Sequence, residues 1–125
     1  MRSNRELLIE AYRAFNRRDI EAVLALMKPD VDWPNAMEGI RAVGIDEVRA
    51  YWTRQWKQLD PHVEPIHIAD ENTGNTVVDV HQIVKDLDGR VLLDQIVQHV
   101  YRIEEGLIVR MDIRENADVS SWLAK

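Results

Sequence analysis

Three observations predict an α+β fold in which three N-terminal helices are followed by an antiparallel sheet. Apolar residues recur at helical spacing in the first half of the chain only. The second half holds long β-branched runs punctuated by two glycine-containing turns. Helical and strand segments are segregated along the chain, which separates α+β from alternating α/β architecture. With 125 residues, one domain spanning residues 1–125 is expected, long enough to bury a core.

The elements follow in order. Ser3 or Asn4 can cap a helix in which Leu7, Leu8, Ala11, Tyr12 and Phe15 share one face. Asp19 can cap a second, short helix carrying Ile20, Val23, Leu24 and Met27, which stops before Pro29. Val31-Asp32-Trp33 is a short extended piece. A third helix begins near Gly44-Ile45-Asp46, sets Val48, Tyr51, Trp52, Gln55, Trp56 and Leu59 along a broad face, and ends at Asp60-Pro61. Four strands are predicted over residues 62–69, 75–85, 91–103 and 107–115. Asp88-Gly89 and Glu105-Gly106 supply the positive φ that tight hairpins need. Residues 117–123 can form a last short helix, with Trp122 packing it onto the body.

The strands do not alternate cleanly. Val97, Tyr101 and Ile103 fall on one face of their strand, Ile96 and Val100 on the other. Such a sheet has both faces covered. Helices can cover one side, and a second copy of the chain is the simplest cover for the other, so a homodimer through the outer sheet face is expected.

Composition narrows the function. The net charge of −6 disfavours nucleic acid as a partner, because phosphate affinity comes from clustered Lys and Arg. The run Arg13, Arg17, Arg18 reads as the solvated last turn of a helix. With no cysteine, disulfides, thiolate catalysis and Cys-based zinc sites are excluded. No stretch approaches the roughly 20 apolar residues of a membrane helix, and no membrane partner is expected. The N-terminus lacks a signal-peptide pattern, so the cytoplasm is the default location. No His-x-x-x-His spacing, phosphate loop or serine elbow occurs, and neither metal nor cofactor is expected.

The segments Ala11-Tyr12-Arg13-Ala14-Phe15-Asn16-Arg17-Arg18-Asp19, Val31-Asp32-Trp33, residues 44–52 and the hairpin of residues 99–113 together resemble the SnoaL-like, nuclear transport factor 2-like superfamily, which includes the ketosteroid isomerases. The resemblance covers nearly the whole chain. It implies a cone of curved sheet on three helices with a cavity at one end, in a family of isomerases, dehydratases, cyclases, hydrolases and binding modules. Matched without gaps, the proton-moving aspartate of the ketosteroid isomerases falls on Asn35. Their oxyanion-binding tyrosine falls on Ala11, one residue from Tyr12, and their protonated aspartate falls near His99. Asparagine is no base, so ketosteroid isomerase activity is not expected.

His99 is the first chemical candidate. A histidine on an apolar inward face has its charged form disfavoured and can exchange a proton at neutral pH, or it can be a structural core histidine. Asp79 and His81 are the second. Two residues apart on one strand, they share a face; if it is the inner one, they form a catalytic pair beside Gln95 and His99. If Val78, Val80, Gln82 and Val84 face in instead, the pair lies outside. Tyr12, Phe15, Trp33, Trp52, Trp56 and Tyr101 offer flat apolar walls or plain core, with Met111 and Ile113 completing the lining. Asn35 and Gln95 could bond a carbonyl. Asp112, Arg110, Arg114 and Asp32 are out of phase with the apolar positions and read as an outer charged strip, while Glu115 could reach the cavity mouth.

The partner expected is a small apolar or polycyclic organic molecule. Three functions are open: a cofactor-free isomerase, dehydratase or cyclase working by acid–base chemistry, a non-catalytic ligand-binding module, or a dimeric protein-interaction module.

Overall fold

The structure is a computed structural model that describes residues 3–115. The expected last helix, Trp122 and the Glu115 side chain lie outside what is described.

Helix α1 (Asn4–Asn16) starts at Ser3, whose hydroxyl accepts from the Glu6 amide while the Glu6 carboxylate accepts from Ser3, a reciprocal cap. Leu7, Leu8, Ala11, Tyr12 and Ala14 are buried. The Asn16 side chain then clasps the backbone of Val63, donating at 2.7 Å and accepting at 3.0 Å. This fixes the end of α1 against the sheet. Asp19 caps α2 (Ile20–Leu24), which is shorter than the periodicity suggests. Met27 belongs instead to β1 (Met27–Asn35), because Pro29 supplies no amide to a continuing helix.

The sequence reading missed β2 (Ile40–Val43), which pairs antiparallel with β1. At only four residues, it is too short to carry a periodic signal. Gly44, at φ +91°, turns the chain into α3 (Ile45–Gln55) and donates to Val31 O at 2.7 Å. The long strands follow: β3 (Leu59–Asp70), β4 (Thr76–Asp86), β5 (Val91–Glu104) and β6 (Leu107–Glu115). Gly89 takes φ +90° in the β4–β5 turn, and Glu105 and Gly106 are both positive in the next one.

The six strands form one curled open sheet in the order β2-β1-β6-β5-β4-β3. The architecture is the α+β arrangement expected, with one correction. β1 runs parallel to β6, so the sheet is mixed rather than wholly antiparallel. The long connection through β2, α3, β3, β4 and β5 lets the first strand join the last from the same direction.

Register settles the faces. Thr76, Val78, Val80, Gln82 and Val84 pair with Tyr101, His99, Val97, Gln95 and Leu93. Val78, Val80, Val97 and Tyr101 belong to the core with α1 and α3, so this is the inner face. Asp79 and His81 therefore lie on the outer face.

Candidate functional site

A cavity of about 370 Å³ opens between the helices and the inner face of the sheet. Its aromatic walls come from α1 (Tyr12, Phe15), β1 (Trp33), α3 (Tyr51, Trp52) and β5 (Tyr101). The rings pack edge to face: Trp33 on Trp52 at 5.5 Å and Phe15 on Trp52 at 5.5 Å. Met111 and Ile113 of β6 complete the lining. No carboxylate and no Lys or Arg lines this cavity among the described residues.

Its polar centre is His99. The side chain is buried, and the Tyr12 hydroxyl lies 2.8 Å from Nδ1. Tyr101, two residues along the same strand, donates to the Tyr12 hydroxyl at 2.9 Å. Helix α1 thus inserts one phenol between two side chains that leave β5 on the same face. Burial lowers the His99 pKa to about 4, because the imidazolium would have to form away from water. Burial pushes the Tyr12 and Tyr101 hydroxyls well above the usual phenol range. All three groups are neutral at neutral pH.

Several sequence candidates are placed elsewhere. Asp79 accepts from Gln98 on the outer face at 2.9 Å, and His81 lies 2.6 Å from Asp94, half exposed. Neither lines the cavity, because strand parity sends both away from it. Asn35 is buried, yet its side chain is engaged by Glu38: it donates to the carboxylate at 2.5 Å and accepts from the amide at 3.0 Å. It closes the β1–β2 turn instead of facing a ligand. Gln95 has inward parity, but here the β4–β5 hairpin extends past the helices; it is exposed and donates to Gln82. Trp56 stacks behind Trp52 at 5.9 Å and does not line the cavity; its Nε1 is buried without a partner.

Residues not singled out from sequence also line the cavity, among them Val63, Gln55, Gln82, Leu92 and Leu93. For Gln82 a signal existed, since it shares parity with Val78 and Val80. Leu92 and Leu93 sit on neighbouring positions near a hairpin tip, where alternation says nothing about depth.

The comparisons with known proteins agree with this geometry. The SnoaL-like domain family matches residues 8–111, and the chain belongs to that family. An NTF2-like protein of unknown function from Burkholderia pseudomallei is 27% identical, with a TM-score of 0.79 over 99% of this chain and 97% of that one. A candidate polyketide cyclase from Pseudomonas putida shares the fold at 21% identity and TM-score 0.75, covering 92% of each chain. A Mycobacterium tuberculosis protein crystallised with estradiol-17beta-hemisuccinate does so at 19% identity and TM-score 0.75, over 90% and 93% of the two chains. Among curated proteins none matches.

Proposed function

We propose that the cavity binds a small apolar, ring-bearing organic molecule and that His99 meets its reacting polar group in cofactor-free acid–base chemistry of the isomerase, dehydratase or cyclase kind. The carrying observation is one neutral, buried imidazole in an aromatic wall that holds no charged side chain among the described residues. Such a site is dry, and a polar group there acts with little competition from water. The ligand in the Mycobacterium tuberculosis structure, estradiol-17beta-hemisuccinate, likewise carries a flat, largely apolar ring system, with a carboxylate on its ester tail.

A second reading, a binding module without turnover, draws on the absence of a carboxylate among the described lining residues. One experiment separates the two. 2-Tetralone is titrated into the protein while tryptophan emission is followed, since Trp33 and Trp52 form the walls. Exchange of its α-hydrogens in heavy water is then read by NMR. Saturable binding with catalysed exchange, the exchange lost in His99→Ala while saturable binding persists at an affinity lower by no more than about ten-fold, is the expected result. Binding with exchange no faster than in buffer leaves the binding module. No saturable binding removes both. The same proposal places a second copy of the chain on the outer sheet face, where half-buried Ile96 and Val100 lie beside buried Val77. Sedimentation velocity checks it, and a monomer at all concentrations would remove it.

A further inference from the structure

We propose that Tyr101 and Tyr12 act as positioning residues that lock His99 in one tautomer, with Nε2–H aimed into the cavity, so that the site recognises its ligand through a hydrogen-bond acceptor such as a carbonyl oxygen. This rests on the small-molecule reading above and adds the polarity of its recognition.

The chain of donors is short and fully buried. Tyr101 spends its only hydrogen on the Tyr12 oxygen, 2.9 Å away. Tyr12 has one hydrogen of its own. Its nearest acceptor is His99 Nδ1 at 2.8 Å. A phenol is a better donor than a neutral imidazole N–H, and an imidazole nitrogen a better acceptor than a phenol oxygen, as their ordinary pKa values imply. The Tyr12 hydrogen therefore points to Nδ1. A neutral imidazole whose Nδ1 holds the accepting lone pair carries its proton on Nε2.

Nε2 is the open end. It meets no hydrogen-bond partner among the described residues, and His99 lines the cavity. It is also not sealed in: among the described residues the only fully buried side-chain nitrogen or oxygen left without a partner is Trp56 Nε1. The elements packed around His99 contribute nothing that would reverse this polarity. Tyr12 comes from α1 and Tyr101 from the same strand, while Val78 of β4 and Ile113 of β6 pair with it in register. No acid or base among them competes for either ring nitrogen.

The consequence is a division of labour. Holding a proton as imidazolium is costly in this cavity, so His99 is poorly suited to being the base. As a neutral donor it can polarise a carbonyl and hold the oxygen on which charge develops. Tyr12 supports it by fixing the ring plane and tautomer, much as an outer partner orients a metal-bound histidine.

Two measurements test this on the full chain. Nitrogen NMR of labelled imidazole rings at neutral pH should report His99 as neutral with its proton on Nε2. Tyr12→Phe should shift that signal toward a mixture of tautomers. In parallel, three bicyclic probes of similar size are titrated: 2-tetralone, which only accepts, indole, whose ring nitrogen only donates, and tetralin, which does neither. 2-Tetralone should bind roughly ten-fold tighter than tetralin, indole no tighter, and the tetralone advantage should fall in Tyr12→Phe. A proton on Nδ1, or indole gaining as much as 2-tetralone, overturns the inference. If none of the probes binds, the small-molecule reading and the ligand class both fall, while the NMR result still decides the tautomer.

Discussion

The two faces of this sheet are built from the same strands and do opposite things with polar groups. The inner face holds few, and they are neutral: at its buried centre His99 and Tyr101 are bonded in a line with Tyr12 of α1. The outer face holds many, and they are ionised and paired. Asp32 accepts from Arg41 at 2.7 Å and from Arg110 at 2.6 Å; Asp112 accepts from Arg110 at 2.7 Å and from Arg41 at 3.2 Å. This quartet stitches β2, β1 and β6 together where water can still reach it. Arg110, followed by Arg41, holds the Asp112 carboxyl below its usual range. The difference teaches how a small sheet carries a reactive side. Charges are kept where solvation cheapens them, and the interior retains polar groups in their neutral form.

The comparison breaks most visibly at Trp52. This side chain is 2% exposed and touches Phe15, Trp33 and Trp56, so it is wall and core at once. Trp52→Ala should destabilise the protein by about 3–5 kcal/mol through lost contacts and the void left behind. Urea unfolding measures it. A loss under about 1 kcal/mol would mean that the helices pack on the sheet less tightly than the inner-face argument requires.

The pH dependence of stability sharpens the contrast next. The His99 pKa is lowered from 6.5 to about 4 in the folded chain. The unfolded chain therefore binds the extra proton first, and stability falls as pH falls from about 6.5 toward 4, levelling off below. The whole step is on the order of 3 kcal/mol. It is fully present above pH of about 6.5. The outer face titrates in a different window. Asp112 has a lowered pKa, so its contribution is kept above the usual carboxylate range and lost only in stronger acid. Urea midpoints of wild type and His99→Gln followed from about pH 6.5 down to about 4 should diverge in slope, the variant lacking the loss. Parallel slopes would show that His99 is solvated or already protonated.

Much of this contrast is legible in the sequence, for physical reasons that also mark its limits. The inner stripe of α1 follows from helical spacing, and the β4–β5 turn follows from what Asp88-Gly89 allows. Asp112 and Asp32 are out of phase with Met111 and Trp33, which is enough to send them outward. The face of β4 is not legible, because Val77 and Val78 are both apolar and both end up buried. Alternation cannot choose between two apolar sets, and that ambiguity carried Asp79 and His81 with it. Asn35 and Gln95 fail differently. Their strands are right, but a local turn partner and a projecting hairpin decide what their side chains meet, and neither leaves a periodic trace. The Tyr12–His99 contact joins residues 87 apart, so spacing along the chain has no access to it.

The smallest effect is expected where the sequence was ambiguous. His81 lies 2.6 Å from Asp94, with side chains 40% and 57% exposed. Pairs of this kind gain little, since water screens them and two side chains must be held still. His81→Ala should change stability by less than about 0.5 kcal/mol. It should leave 2-tetralone affinity and the His99 nitrogen spectrum as they are, because the β4 backbone separates the two faces. Asp79→Asn should be equally silent in the cavity, since its carboxylate only accepts from Gln98. Loss of probe binding in either variant would mean the parity of β4 is reversed in solution. A destabilisation that grows on dilution would instead put His81 at a contact between copies of the chain, and the outer face would then serve assembly as well as solvation.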